Sequence, residues 1–164
     1  MNNLDKEFIE YFGEEKLKEV KMESKLQDIA NYVCENWLHL DSIPIIIEEI
    51  EEDARFYVND LYIGINNSFI DDLNEMIFSL LHELEHYFQW VYANSYNTEK
   101  AKRWKQLFNE ESNEEYVINE LEIDAYAFAE IVMNCELGIN RKHKDPVVQM
   151  LIEKYILTTD FIEV

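Results

Sequence analysis

Only three glycines and two prolines punctuate the 164 residues of this chain, so long stretches contain nothing that forces a turn. Long regular elements follow, and they are helices wherever apolar residues recur every three or four positions. Residues 4–20 carry such a pattern, divided at Gly13, and Leu26, Ile29, Ala30, Val33, Cys34, Trp37 and Leu38 form a clearer stripe after it. Leu73, Met76, Ile77, Leu80, Leu81, Leu84, Phe88 and Val91 form another, opened by Asp72 as N-cap with Glu75 reaching back. Residues 98–110 predict a further helix. A second capping box, Ser112-Asn113-Glu114-Glu115, opens one that runs to about Leu137, where Gly138 supplies the left-handed C-cap. Asp145 and Pro146 start a last helix that ends near Thr158.

Between the early helices and Asp72 the period changes. The β-branched run Ile43–Ile50, residues 55–59 and residues 61–66 read as three short strands. Together they predict an α+β fold, mostly helical, with a small antiparallel or mixed sheet packed on the helix that follows Asp72. One domain spanning residues 1–164 is the simplest organisation. With 48% hydrophobic and 13% aromatic residues the chain has material for a core, which excludes a disordered protein.

The formal net charge is −21, which disfavours nucleic acid and anionic membrane surfaces as partners. No apolar run reaches membrane-spanning length, and the N-terminal residues lack the order of a signal peptide. A soluble, cytoplasmic protein is expected. Cys34 and Cys135 belong to no C-x-x-C pair and sit among apolar residues, so they are expected to be buried thiols. Oligomeric state is not indicated.

The chemistry lies in His82-Glu83-Leu84-Glu85-His86, an H-E-x-x-H sequence beside the second apolar stripe. Imidazoles four residues apart on a helix stand one above the other and can reach the same ion. Glu83 is placed to take a proton from a water activated there. Zinc hydrolases use three protein ligands and leave one position open. His39, before a loop, and His143, in the basic turn 141–144, are expected to be exposed side chains. The segment Asn119-Glu120-Leu121-Glu122-Ile123-Asp124 offers better candidates. Glu120 and Asp124 stand at i,i+4, so Glu120 is preferred as third ligand, with Asp124 accepting the free N–H of a ligand histidine. Glu122 is the competitor; it lies about 200° around the helix from Glu120, so the two cannot both face one ion.

H-E-x-x-H followed by E-x-x-x-D on a later helix resembles the gluzincin class of zinc metallopeptidases. The Glu120–Ala129 texture is also similar to the corresponding segment of ImmA/IrrE-like peptidases. The resemblance covers roughly residues 60–130. It implies a zincin-like domain with His82, His86 and Glu120 as zinc ligands, Glu83 as general base and Asp124 behind a ligand. It also implies a peptide or protein substrate lying along an edge strand, for which Leu61–Asn66 is the candidate. The class adds an oxyanion-stabilising side chain; Tyr96, Tyr126, His143 and Tyr155 are the candidates here. Gln89 and Tyr92 occupy the places of a metzincin's Gly and third His, which excludes that class in its usual form. Two rival readings stand beside a zinc peptidase: a catalytically silent zinc-binding module, and a metal-free acidic interaction protein.

Overall fold

The structure is a computed structural model, and it describes residues 1–110 and 119–159. Two compact units divide the chain, Met1–Leu80 and Leu81–Val164, with one helix running from the first into the second. The predicted capping box at residues 112–115 lies outside the described residues.

The first unit begins with helices α1 (Asn3–Phe12) and α2 (Glu14–Val33). Gly13 separates them at φ 88°, in the left-handed region where a side chain is strained, which is why the chain breaks there. A π-helical turn, Cys34–Leu38, extends α2 and closes on His39 in the left-handed conformation at φ 55°. The strands are β1 (Ile45–Glu48), β2 (Ala54–Tyr57) and β3 (Tyr62–Asn66). They form a mixed sheet in the order β1-β3-β2, with β1 parallel and β2 antiparallel to β3.

This order corrects one expectation. Strand β3 is central, paired on both sides, and Ile63, Gly64 and Ile65 on it are all buried. Its backbone donors and acceptors are consumed by β1 and β2, so Leu61–Asn66 offers no edge to an extended substrate. The edges belong to β1 and β2. On β1 the exposed ladder is partly closed by α2, where Gln27 Oε1 accepts from Ile45 N–H at 2.8 Å and Glu23 Oε2 accepts from Ile47 N–H at 2.9 Å. A Cβ on Gly64 would meet the Glu48 carboxylate lying across it, so a larger residue there would require that side chain to move.

Helix α3 (Leu73–Ser95) starts where Asp72 Oδ1 accepts from the Glu75 N–H at 3.2 Å. The second unit then adds α4 (Glu99–Glu110), α5 (Glu120–Leu137) and α6 (Pro146–Thr158). Each start is capped, but α5 begins at Glu120 under Asn119 and not at the predicted box, so the helix expected from residue 112 to about Leu137 is shorter. Thr98 Oγ1 accepts from Ala101 N–H, Asn119 Oδ1 from Glu122 N–H, and Asp145 Oδ1 from Val147 N–H with Pro146 in the first turn. Gly138 ends α5 at φ 65°.

Two apolar clusters hold this unit. Trp104, Ala93 and Leu121, with Phe88, Tyr92, Leu107 and Phe108 against them, join α3, α4 and α5. Ile123, Ala127, Val148 and Ile152, with Tyr126, Tyr155 and Ile156, join α5 and α6. Helix α5 is thus buried almost all round over its first four turns, with Glu122, Asp124 and Glu130 among the covered residues. The fold is α+β and mostly helical, as the sequence predicts. Among the described residues no helix is long and apolar enough to cross a membrane. Of the cysteines, Cys34 is buried and Cys135 is exposed, because the last turns of α5 leave the covered part of the helix.

Candidate metal centre

His82 and His86 lie one turn apart on α3, both buried, beside the residues that fill the apolar clusters. Their rings meet edge to face, 4.7 Å between centroids. The two Nε2 atoms point at each other across 3.1 Å. The carboxylate of Glu122, from the first turn of α5, completes the group. Its Oε2 is 3.1 Å from His82 Nε2 and its Oε1 is 2.8 Å from His86 Nε2. One ligand atom from each of the three residues falls within 4.8 Å of the others, an arrangement that can hold a metal ion.

The electrostatics fit a positive charge at this point. Two imidazole nitrogens cannot face each other with both lone pairs bare; a proton on one of them, or a metal ion between them, must fill the space they share with the carboxylate. Without a metal a proton serves. Burial pushes His86 down, but the Glu122 carboxylate more than offsets it, and the imidazole is raised to about 10, with Glu83 adding to the effect. Reciprocally, burial pushes Glu122 up and the charge of His86 and hydrogen bonds from both imidazoles pull it well below the usual carboxylate range. His82 Nδ1 is buried and has no hydrogen-bond partner among the described residues.

The expected third ligand, Glu120, is elsewhere. It faces α4, where Arg103 grips it with two hydrogen bonds, Nε to Oε2 at 2.6 Å and Nη2 to Oε1 at 2.8 Å. That hydrogen bonding lowers its carboxyl pKa despite partial burial. The structure therefore places Glu122, not Glu120, beside the histidines, and the physical reason is the phase of α5. Leu121 and Ile123 are both buried, each in a different apolar cluster, and the turn of helix that seats them aims Glu122 at α3.

Asp124 is buried nearby and reaches the centre through an intermediary. Gln89, fully buried on α3, sits between it and His86. Asp124 Oδ1 accepts from the Tyr155 hydroxyl at 2.7 Å. Burial and the Asp124 charge push that phenol far above its ordinary value. Glu85, also on α3, is enclosed with one oxygen lacking a partner among the described residues. Burial, with Asp124 adding to it, raises its pKa well above the usual carboxylate range. Neither Gln89 nor Glu85 stands out in the sequence as functional. The available signal was their polarity: both interrupt an otherwise apolar helix face, and Gln89 follows His86 at i+3.

Glu83 is half-buried and its charge acts on His86. Of the four oxyanion candidates, Tyr155 has its hydroxyl on Asp124, and Tyr96 is exposed and stacks on Tyr92. The Tyr126 ring lies 4.2 Å from that of His82. His143 packs edge to face on Tyr126 at 4.8 Å, with its Nδ1 accepting from the Asp145 N–H. It is thus half-buried rather than exposed, while His39 is exposed as expected. No family model, curated protein or solved structure matches this chain.

Proposed function

We propose that this protein is a zinc-dependent peptide hydrolase whose ion is held by His82, His86 and Glu122. The observation that carries the reading is the convergence of two Nε2 atoms and one carboxylate, 2.8–3.1 Å apart, in a buried position. Ligand atoms around a tetrahedral zinc, with bonds of about 2.0–2.1 Å, stand about 3.3 Å from one another. A small adjustment accommodates the ion, and the donor set of two imidazoles and a carboxylate is one that catalytic zinc sites use.

When bound, zinc supplies a Lewis acid that polarises a carbonyl and makes a neighbouring water acidic. Glu83, next to His82 and half-buried, takes the proton of the attacking water and returns it to the departing amine. His82 and His86 orient on the rigid α3, and Glu122 on α5 balances their charge requirements. The Tyr126 ring packs against that of His82. That the substrate is a peptide rests on the resemblance of H-E-x-x-H alone to gluzincin peptidases, because Glu120 of the E-x-x-x-D pattern pairs with Arg103 and Tyr126 follows Glu122 at i+4.

The test begins with metal analysis of protein purified without an affinity tag or added zinc, where near-stoichiometric zinc is expected. Incubation with a proteome-derived peptide mixture, read by mass spectrometry, should then show cleavage. The Glu83→Gln protein should retain zinc and cleave nothing. Absence of metal, together with no thermal stabilisation on adding Zn2+, would sink the reading. Zinc retention with no cleavage by the unmodified protein would leave a silent metal-binding module.

A further inference from the structure

Gln89 has its side chain fully used and fully enclosed. Its Nε2 donates to the Leu121 carbonyl at 2.9 Å and to Asp124 Oδ2 at 2.7 Å. Its Oε1 faces His86 Nδ1 at 2.8 Å. Turning the amide over would set its oxygen against two acceptors, so the orientation is determined by the contacts themselves. With an oxygen opposite it, His86 Nδ1 carries a proton and donates. The lone pair of the neutral imidazole then lies on Nε2, the atom that faces His82 and Glu122.

We infer that Gln89 is the positioning residue of the metal centre: it fixes His86 in its Nδ1–H form and relays to it the pull of Asp124. The inference rests on the metal reading above and deepens it. The relay runs Tyr155, Asp124, Gln89, His86, each link a hydrogen bond of 2.7–2.8 Å, and it ties α6 and α5 to the ligand helix. A neutral amide suits the position. Asp124 and Glu85 already crowd carboxyl groups into the same enclosed space, and a carboxylate at position 89 would add a like charge against them. Outer partners of this kind set ring orientation and ligand basicity, and their loss costs about 10–100-fold in metal affinity.

The experiment uses Zn2+ alone, titrated against a chromophoric chelator into metal-stripped protein, with long-range 1H–15N spectra of the loaded form. For the unmodified protein, one Zn2+ is expected, with His86 coordinated through Nε2 and its Nδ1 proton exchanging slowly with water. Gln89→Met should weaken Zn2+ binding about 10–100-fold and speed that exchange. If Gln89 only fills space, Gln89→Met, of similar length and volume, leaves the exchange of the Nδ1 proton as slow as before, and the inference is overturned. Unchanged Zn2+ binding by Gln89→Met overturns it as well and leaves the metal centre standing. Should Gln89→Met not fold, the unmodified protein decides: coordination through Nδ1, or solvent-rate exchange of the Nδ1 proton, refutes the inference. Failure of the unmodified protein to take up Zn2+ removes the metal centre and its positioning residue together.

Discussion

Helices α2 and α5 are both long and both acidic, yet they use their carboxylates in opposite ways. On α2, Glu14, Glu15 and Asp28 are exposed and Glu19 and Glu23 half-buried. Water solvates all of them but Glu23, whose carboxylate accepts from the Ile47 N–H of β1, and pairs such as Lys16 with Glu19 are surface ion pairs of small worth. On α5, Glu122, Asp124 and Glu130 are buried, and each has partners brought from another segment. Glu122 meets two imidazoles; Asp124 meets Gln89 and Tyr155; Glu130 meets Lys142 and the Gln149 amide. An acid on a covered face is costly unless it is matched. The difference between the helices separates charge that keeps the chain in solution from charge that is organised, and α5 carries the organised kind.

Substitutions can break or sharpen this contrast. The largest effect is expected at Glu122. Glu122→Ala should reduce Zn2+ affinity by more than the roughly 100-fold that losing an outer partner costs, because a ligand itself is gone. Glu120→Ala, two residues away, should leave it within about threefold. Competition against a chelator distinguishes the two, and equal losses would erase the distinction between these neighbours. Metal removal comes next. At free Zn2+ a hundred times its dissociation constant, binding should stabilise the unmodified protein by about 2.7 kcal/mol, measured by denaturant unfolding with and without chelator.

At Glu130 the effect is smaller. Lys142→Ala withdraws a partly exposed ammonium from a buried carboxylate that keeps Gln149, so a loss on the order of 1 kcal/mol is expected in the same unfolding measurement. On α2 the contrast predicts almost nothing. Asp28→Ala, at an exposed helix position, should change stability by no more than about 0.5 kcal/mol and in the stabilising direction, since Ala is the better helix former. A loss above 1 kcal/mol there would show that α2's acids are organised too.

The sequence revealed what is decided locally. Gly13, Gly138, the Asp72 cap and the Asp145-Pro146 start each act within one turn, and each was found where its residue type requires. His82 and His86 share a face by helical spacing alone. What depends on distant packing was not legible. The central position of β3 follows from how three strands assemble, which no strand states by itself. Glu120 was preferred on the premise that Asp124 touches a ligand histidine directly, which put the third ligand on the same side as Asp124. Gln89 stands between them and removes that premise. Nor does any spacing rule connect Arg103 with Glu120, since the pair depends on how α4 meets α5. A helix buried almost all round has no apolar stripe from which its phase can be read.

The position of Glu122 within α5 has a further consequence. The helix begins at Glu120, so the carboxylate belongs to the first turn, where backbone amides lack partners on the preceding turn. Such turns ordinarily fray. Whatever grips the Glu122 side chain therefore also clamps the winding of the backbone behind it, with the Asn119 cap as the other restraint. Amide hydrogen exchange at Ile123, Asp124 and Ala125 then becomes a gauge of site occupancy that needs neither a substrate nor a coloured ion. Those amides should slow when Zn2+ is added, while amides in the middle of α2 keep their rates.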